Sequence, residues 1–143
     1  MRDENCIFCK ILNGDIPSVT AYENDDFKVI FDVSPASKGH VLILPKNHVA
    51  NVFEMDEETA AKAYVLAKKL AAALKEILHC DGVNIVQNNG EAAGQTVFHF
   101  HMHVIPRYKG DSKPGKCSMV SWVPGEMDKE EMTKVAEELS KIL

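Results

Sequence analysis

The apolar positions of this chain change period along its length, and each change marks an element. Ile7, Phe8, Ile11 and Leu12 make one apolar turn of helix, which Asn13-Gly14 stops. The runs 19–23 and 27–32 flank Asn24-Asp25-Asp26, turn punctuation that predicts two antiparallel strands. A third strand, 40–44, is β-branched and apolar and ends at Pro45, which has no N–H to donate to a ladder. From Asp56 the period lengthens. Asp56 is placed to cap a long helix, Glu57 and Glu58 suit its positive end, and Lys68, Lys69, Lys75 and His79 favour its later turns. Ala63, Leu66, Ala67, Leu70, Leu74 and Ile77 recur at three and four residues and form its apolar stripe, with Gly82 as the stop. Strands over 83–87 and 97–105 then surround a loop rich in Gly and Asn. Asp128 to Glu131 has the form of a capping box, and Met132, Val135, Leu139 and Ile142 follow at helical spacing, so a short terminal helix is expected.

Strands in series with one long central helix predict an α+β fold: an antiparallel sheet of about five strands, covered on one face, with no βαβ winding. Length agrees with a single domain over 1–143, because 143 residues bury an adequate core without staples. Apolar residues at 45% and charged residues at 26% are ordinary for a globular chain, and no stretch reaches the length of a membrane span. A net charge of -5 repels phosphate polymers, which argues against nucleic acid as a partner. The opening MRDENCIFCK lacks the basic patch and apolar run of a signal peptide, so the expected location is the cytoplasm. In that reducing setting Cys6, Cys9, Cys80 and Cys117 are free thiols or metal ligands and not a disulfide framework.

Candidate chemistry begins with His99-Phe100-His101-Met102-His103. On a strand, a period of two sets the three imidazoles on one face and Phe98, Phe100, Met102 and Val104 on the other. The row would span about 13 Å at roughly 3.3 Å per residue, too far for one zinc ion to bind all three. Neutral imidazoles are nucleophiles and proton carriers, so neighbours can divide attack and leaving-group protonation between them. Upstream, the segment from Asn88 to Thr96 supplies small residues and donors suited to cradling an anion. Cys6-Ile7-Phe8-Cys9 has the spacing of a zinc knuckle; a redox reading would need a preceding strand, and only five residues precede it. A closed site needs two further ligands. Cys80 and Cys117 have no matching partners, and His79 reads as a cation at a helix end.

Together these residues resemble the histidine triad (HIT) family, in the Hint branch and its bacterial zinc-containing type. The resemblance rests on the His-x-His-x-His row, on Asp32-Val33-Ser34-Pro35 and on Gly39-His40-Val41-Leu42-Ile43-Leu44-Pro45-Lys46. It covers about 5–108 and leaves 109–143 as a C-terminal extension. It implies a homodimer of α+β subunits that binds purine nucleotides and hydrolyses nucleoside 5′-phosphoramidates or related nucleotidyl bonds. The implied route is a covalent nucleotidyl-histidine that releases a nucleoside monophosphate and needs no metal for catalysis. Carried over by position, His101 is the nucleophile, His103 the histidine near the leaving group and His40 its accessory. Asn88, Gly94 and Thr96 fall at phosphate contacts, Thr96 in place of the more usual serine. Asp32 matches the ribose-hydroxyl acceptor, and Phe8, Ile11, Ile16, Ile30 and Val33 the walls of the base pocket. The same resemblance adds His48 and His99 to Cys6 and Cys9 as ligands of one structural zinc per chain. A dinucleoside polyphosphate hydrolase similar to the Fhit branch, and a nucleotide- or zinc-binding regulator with little turnover, are the competing readings. Trp122 is either a cover for a pocket mouth or a packing residue.

Overall fold

A computed structural model describes residues 3–110 and 124–143, so Cys117 and Trp122 lie outside the described residues. Helix α1 (Ile7–Asn13) starts where the Cys6 thiol accepts the Cys9 N–H, and ends at Gly14, whose φ of 86° only glycine adopts without strain. Strands β1 (Thr20–Glu23) and β2 (Phe27–Phe31) form the expected hairpin. Its turn is held by Asn24, whose side-chain oxygen accepts the N–H groups of Asp26 at 3.0 Å and Phe27 at 2.7 Å. Strand β3 (Val41–Pro45) pairs antiparallel with β2 and ends on the proline, opposite Phe27. Helix α2 (Glu57–Leu78) is capped by Asp56, which accepts the Thr59 N–H at 2.8 Å. Strands β4 (Gly82–Val86) and β5 (Met102–Arg107) and helix α3 (Lys129–Ile142) complete the chain, with a 3-10 turn over Glu91–Ala93. The five strands make one antiparallel sheet in the order β1-β2-β3-β5-β4, the α+β arrangement expected. Among the described residues no helix is long and apolar enough to cross a membrane.

The sheet carries a core on both faces, where the sequence suggested one. Phe27, Val29, Val41, Ile43 and Val104 pack with Ala63, Leu66 and Ala67 of α2, while Ile30, Leu42 and Leu44 pack with Phe8, Cys9 and Ile11 of α1. All five residues of β3 are buried, as a strand between two layers requires. Gly39, at φ 92°, sits so close to the end of α2 that an added Cβ would come within 2.3 Å of the Leu78 side chain, so glycine suits both the backbone angle and the close approach where β3 begins.

Two boundaries differ from expectation. Helix α2 stops at His79, which takes the left-handed conformation and returns its N–H to Lys75, while Gly82 begins β4. Strand β5 begins at Met102 and not at 97, because β3 offers it a ladder only from Val41 to Ile43. Before that point Phe100 turns its N–H to the Val49 carbonyl at 2.7 Å. Only His103 of the histidine row therefore lies in a strand. Phe98, expected on the core face, is 50% exposed.

Candidate functional site

The departure of 97–101 from the sheet sends His99 away from its neighbours and into the core, where it is wholly buried. Its Nδ1 lies 3.4 Å from Cys6 Sγ and 3.5 Å from Cys9 Sγ, and His48 Nδ1 lies 3.4 Å from Cys9 Sγ and 3.2 Å from His99 Nδ1. The four residues form one cluster able to hold a metal ion. A tetrahedral ion with bonds of about 2.0–2.3 Å spaces its donors roughly 3.3–3.8 Å apart, so these edges fit. The donor chemistry fits as well. His99 Nε2 lies 3.0 Å from the Pro45 carbonyl, which accepts its proton and leaves the Nδ1 lone pair facing the thiols. Burial pushes the Cys9 thiol up, so ionising the pair calls for a cation among them.

The remaining histidines gather around a second centre. His101 Nδ1 lies 2.8 Å from the His99 carbonyl. A carbonyl only accepts, so the proton is on Nδ1 and the Nε2 lone pair is free for attack. The Phe8 ring stands edge-on to the His101 ring at 5.1 Å, and the His103 ring lies at the same separation. On His40 the logic runs the other way. The backbone N–H of Ala36 donates to His40 Nδ1 at 3.0 Å, so its proton must sit on Nε2, which faces His103 Nδ1 at 2.9 Å and Asp32 at 3.5 Å. His103 then accepts on Nδ1 and carries its own proton on Nε2. Asp32, His40 and His103 are close enough to resemble a metal site. The proton on His40 Nε2 makes them a hydrogen-bonded relay instead, because the atom facing the others has no lone pair to give.

Burial lowers all four rings below the ordinary imidazole range, His99 and His103 to about 4. The carbonyl bond to His99 works against this at His101, and the Asp32 charge works against it at His40. The centre is a set of neutral imidazoles at neutral pH.

Around it, Phe8, Ile11 and Ile30, with Ile16 at the margin, form one apolar cluster between α1 and the sheet. Val33 is 93% exposed and stands outside that cluster. Asn88 directly follows Gln87 beyond the end of β4, whose Val86 pairs with His103. Gly94 approaches the Asn88 side chain, and Thr96 is exposed on the same loop. Sequence reasoning missed Gln95. It is buried, its Oε1 accepts the Gly90 N–H at 2.8 Å, and its amide donates to the carbonyls of Ala50 at 2.6 Å and Val97 at 3.0 Å. One side chain thus closes the glycine loop and ties it to the segment that carries His48. A glutamine amid glycines and alanines was the one available signal.

Residues 13–110 match the family model described as HIT domain. A HIT family protein from Bacillus anthracis has the same fold, with a TM-score of 0.86 and 37% identity over 98% of each chain. A zinc-bound histidine triad family protein from Mycobacterium smegmatis matches with a TM-score of 0.73 and 36% identity over 96% of this chain and 95% of that one. The adenosine 5′-monophosphoramidase hnt1 of Schizosaccharomyces pombe is 38% identical over 136 residues, 95% of this chain and 96% of that protein.

Proposed function

Because the chain belongs to the HIT family, we propose that it is a nucleotide hydrolase that cleaves nucleoside 5′-phosphoramidates, or closely related nucleotidyl bonds, through a nucleotidyl intermediate on His101. One observation carries the reading: the His99 carbonyl pins the His101 proton on Nδ1 and leaves Nε2 unprotonated, in a ring kept neutral by burial. The Nε2 lone pair forms the bond to the α-phosphorus as the P–N bond breaks. The departing nitrogen takes the electron pair and a proton that enters from solvent by way of His103 Nε2, so His103 stays neutral and His101 carries the positive charge of the intermediate. Water then attacks phosphorus as the P–Nε2 bond breaks, passes a proton back to solvent by way of His103, and releases the nucleoside monophosphate with His101 restored and neutral. His40, fixed by Ala36 and Asp32, holds the His103 ring in the tautomer this requires.

The cluster of Phe8, Ile11, Ile16 and Ile30 makes an apolar slot for a purine, with Val33 at its outer rim. Asp32 is the acceptor for ribose hydroxyls, and Asn88, Gly94 and Thr96 contact phosphate. Cys6, Cys9, His48 and His99 would hold one zinc per chain, whose part is to neutralise two thiolates and clamp α1 to the sheet; all four positions come from protein, so catalysis does not use it. The same reading makes residues 1–143 one HIT domain with a C-terminal extension, working in the cytoplasm as a homodimer. Strand β4 is an open sheet edge, half-buried along its length, which suits pairing with a second copy.

The test is a single turnover with α-labelled adenosine 5′-phosphoramidate. Acid-labile label should appear on the protein and give way to AMP. Tight AMP binding with no label would make the protein a nucleotide sensor, and faster release from dinucleoside polyphosphates would place it with the alternative hydrolases. The pH profile tests the electrostatics. Attack needs neutral His101, and burial lowers its affinity for protons, so kcat/KM should stay level as pH falls from 8 through the ordinary imidazole value near 6.5 and decline only below it. An acid limb centred at or above that value contradicts the neutral-ring picture.

A further inference from the structure

Gln95 is the buried polar side chain of the loop 88–96, and the chemistry proposed for the histidines leaves it without a task. Its partners settle its orientation. The carbonyls of Ala50, at 2.6 Å, and Val97, at 3.0 Å, can only accept, so the amide nitrogen faces them and both of its protons are used. The amide oxygen is left to accept the Gly90 N–H at 2.8 Å, while the Gly90 carbonyl accepts the backbone N–H of Gln95 at 3.1 Å. Gly90 is therefore gripped by Gln95 on its donor and on its acceptor, and the exposed residues 91–94 are closed into a ring between them.

Each bond of this amide reaches a different part of the loop's frame. The bond to Val97, two residues on, holds the chain on the far side of Thr96, and the backbone bond to Gly90 holds it on the near side. The clasp on Gly90 shapes the turn that ends at Gly94, beside the Asn88 side chain. The bond to Ala50 ties the loop to 48–50, whose Val49 carbonyl accepts the Phe100 N–H at 2.7 Å, one residue before His101. Asn89 adds a second tie to the same stretch of chain by accepting the Val52 N–H at 2.8 Å. The loop and the residue before His101 are thus both bonded to one short strap. We propose that Gln95 is a positioning residue for the phosphoryl group: it touches no substrate itself, but sets Asn88, Gly94 and Thr96 where a phosphate between them and His101 is in line for attack. This rests on the phosphate contacts assigned above to those three residues. The expected effect is large, because a shift of about 1 Å in a reacting group can cost about 10²-fold in rate.

Gln95→Met keeps the length of the side chain and removes its three bonds, and calorimetric titration with AMP and with adenosine separates an effect on phosphate from a loss of fold. AMP should bind the variant about tenfold more weakly or worse, while adenosine, held by base and ribose contacts, changes by less than about twofold. Label formation from saturating α-labelled phosphoramidate should slow by about 30–100-fold. Equal losses for AMP and adenosine would make Gln95 a residue of stability alone, and an unchanged AMP affinity would mean that the loop keeps its shape without it; either result overturns the proposal. The affinity comparison needs no covalent step, so it decides the matter whether or not the unaltered protein takes up label. If the unaltered protein shows no preference for AMP over adenosine, the phosphate contacts fall together with Gln95; a preference that survives in the variant removes Gln95 alone. Hydrogen exchange on the unaltered protein reads the clasp without any variant. The Gly90 amide should exchange at least about ten times more slowly than an open-loop amide, and exchange at the open-loop rate would refute the positioning role.

Discussion

Replacement of His101 by alanine is expected to lower turnover of a nucleoside phosphoramidate by roughly 10⁴-fold or more and to abolish the acid-labile label on the protein. That loss corresponds to about 5 kcal/mol of transition-state stabilisation. The magnitude follows from the arrangement of the rings. His103 is protonated on the nitrogen remote from His40, and His99 turns its lone pair toward the thiols, so neither can replace the missing lone pair. His101 is also buried against Phe8, and the alanine variant leaves a void there that costs stability. His101→Asn separates the two effects, since its amide can still donate to the His99 carbonyl while offering phosphorus no comparable nucleophile. Both variants should bind AMP. Retention of more than about a tenth of the activity in the asparagine variant would mean that phosphorus is attacked by water directly and that the histidine has another task.

The sequence made the local chemistry legible because that chemistry is local. Caps at Asp56 and Asp128, the glycine stop at Gly14 and the hairpin turn at Asn24 all depend on hydrogen bonds within a few residues, and the structure places them as the pattern does. What failed depends on distant partners. A period of two is a property of a strand, and 97–101 is not one, because the ladder offered by β3 reaches only as far as Met102. Nothing near His99 states that its ring drops out of the row to meet Cys6 and Cys9, some ninety residues earlier. The burial of Gln95 is likewise set by carbonyls across the fold. The second core layer could have been read. Val41, Leu42, Ile43 and Leu44 are four apolar residues without alternation, which marks a strand packed on both faces, and α1 supplies the second cover.

The tie between those distant partners is also where stability should be most sensitive. Cys9→Ser should reduce bound zinc from about one ion per chain to near none, because a serine hydroxyl does not ionise to replace the thiolate. The expected cost is about 3–5 kcal/mol, or a thermal midpoint lower by roughly 10–20 °C. The reasoning starts from α1. Seven residues do not hold a helix without docking, and α1 is docked by the apolar cluster it shares with the sheet and by two cysteines facing His48 and His99. Without the ion those donors are left as a buried thiol and two imidazoles with only weak bonds to one another. The core against α2 lies on the opposite face of the sheet, so the variant should still fold. Catalysis should respond in a particular way. The His101 ring keeps its bond to the His99 carbonyl, but Phe8, carried on α1, is released from its edge contact with that ring. Nucleotide binding should weaken about tenfold in KM while the rate of label formation at saturation changes by less than about threefold. A metal-free variant with an unchanged midpoint would remove zinc from the fold's account. A collapse of label formation with KM unaltered would instead move the ion into the chemistry.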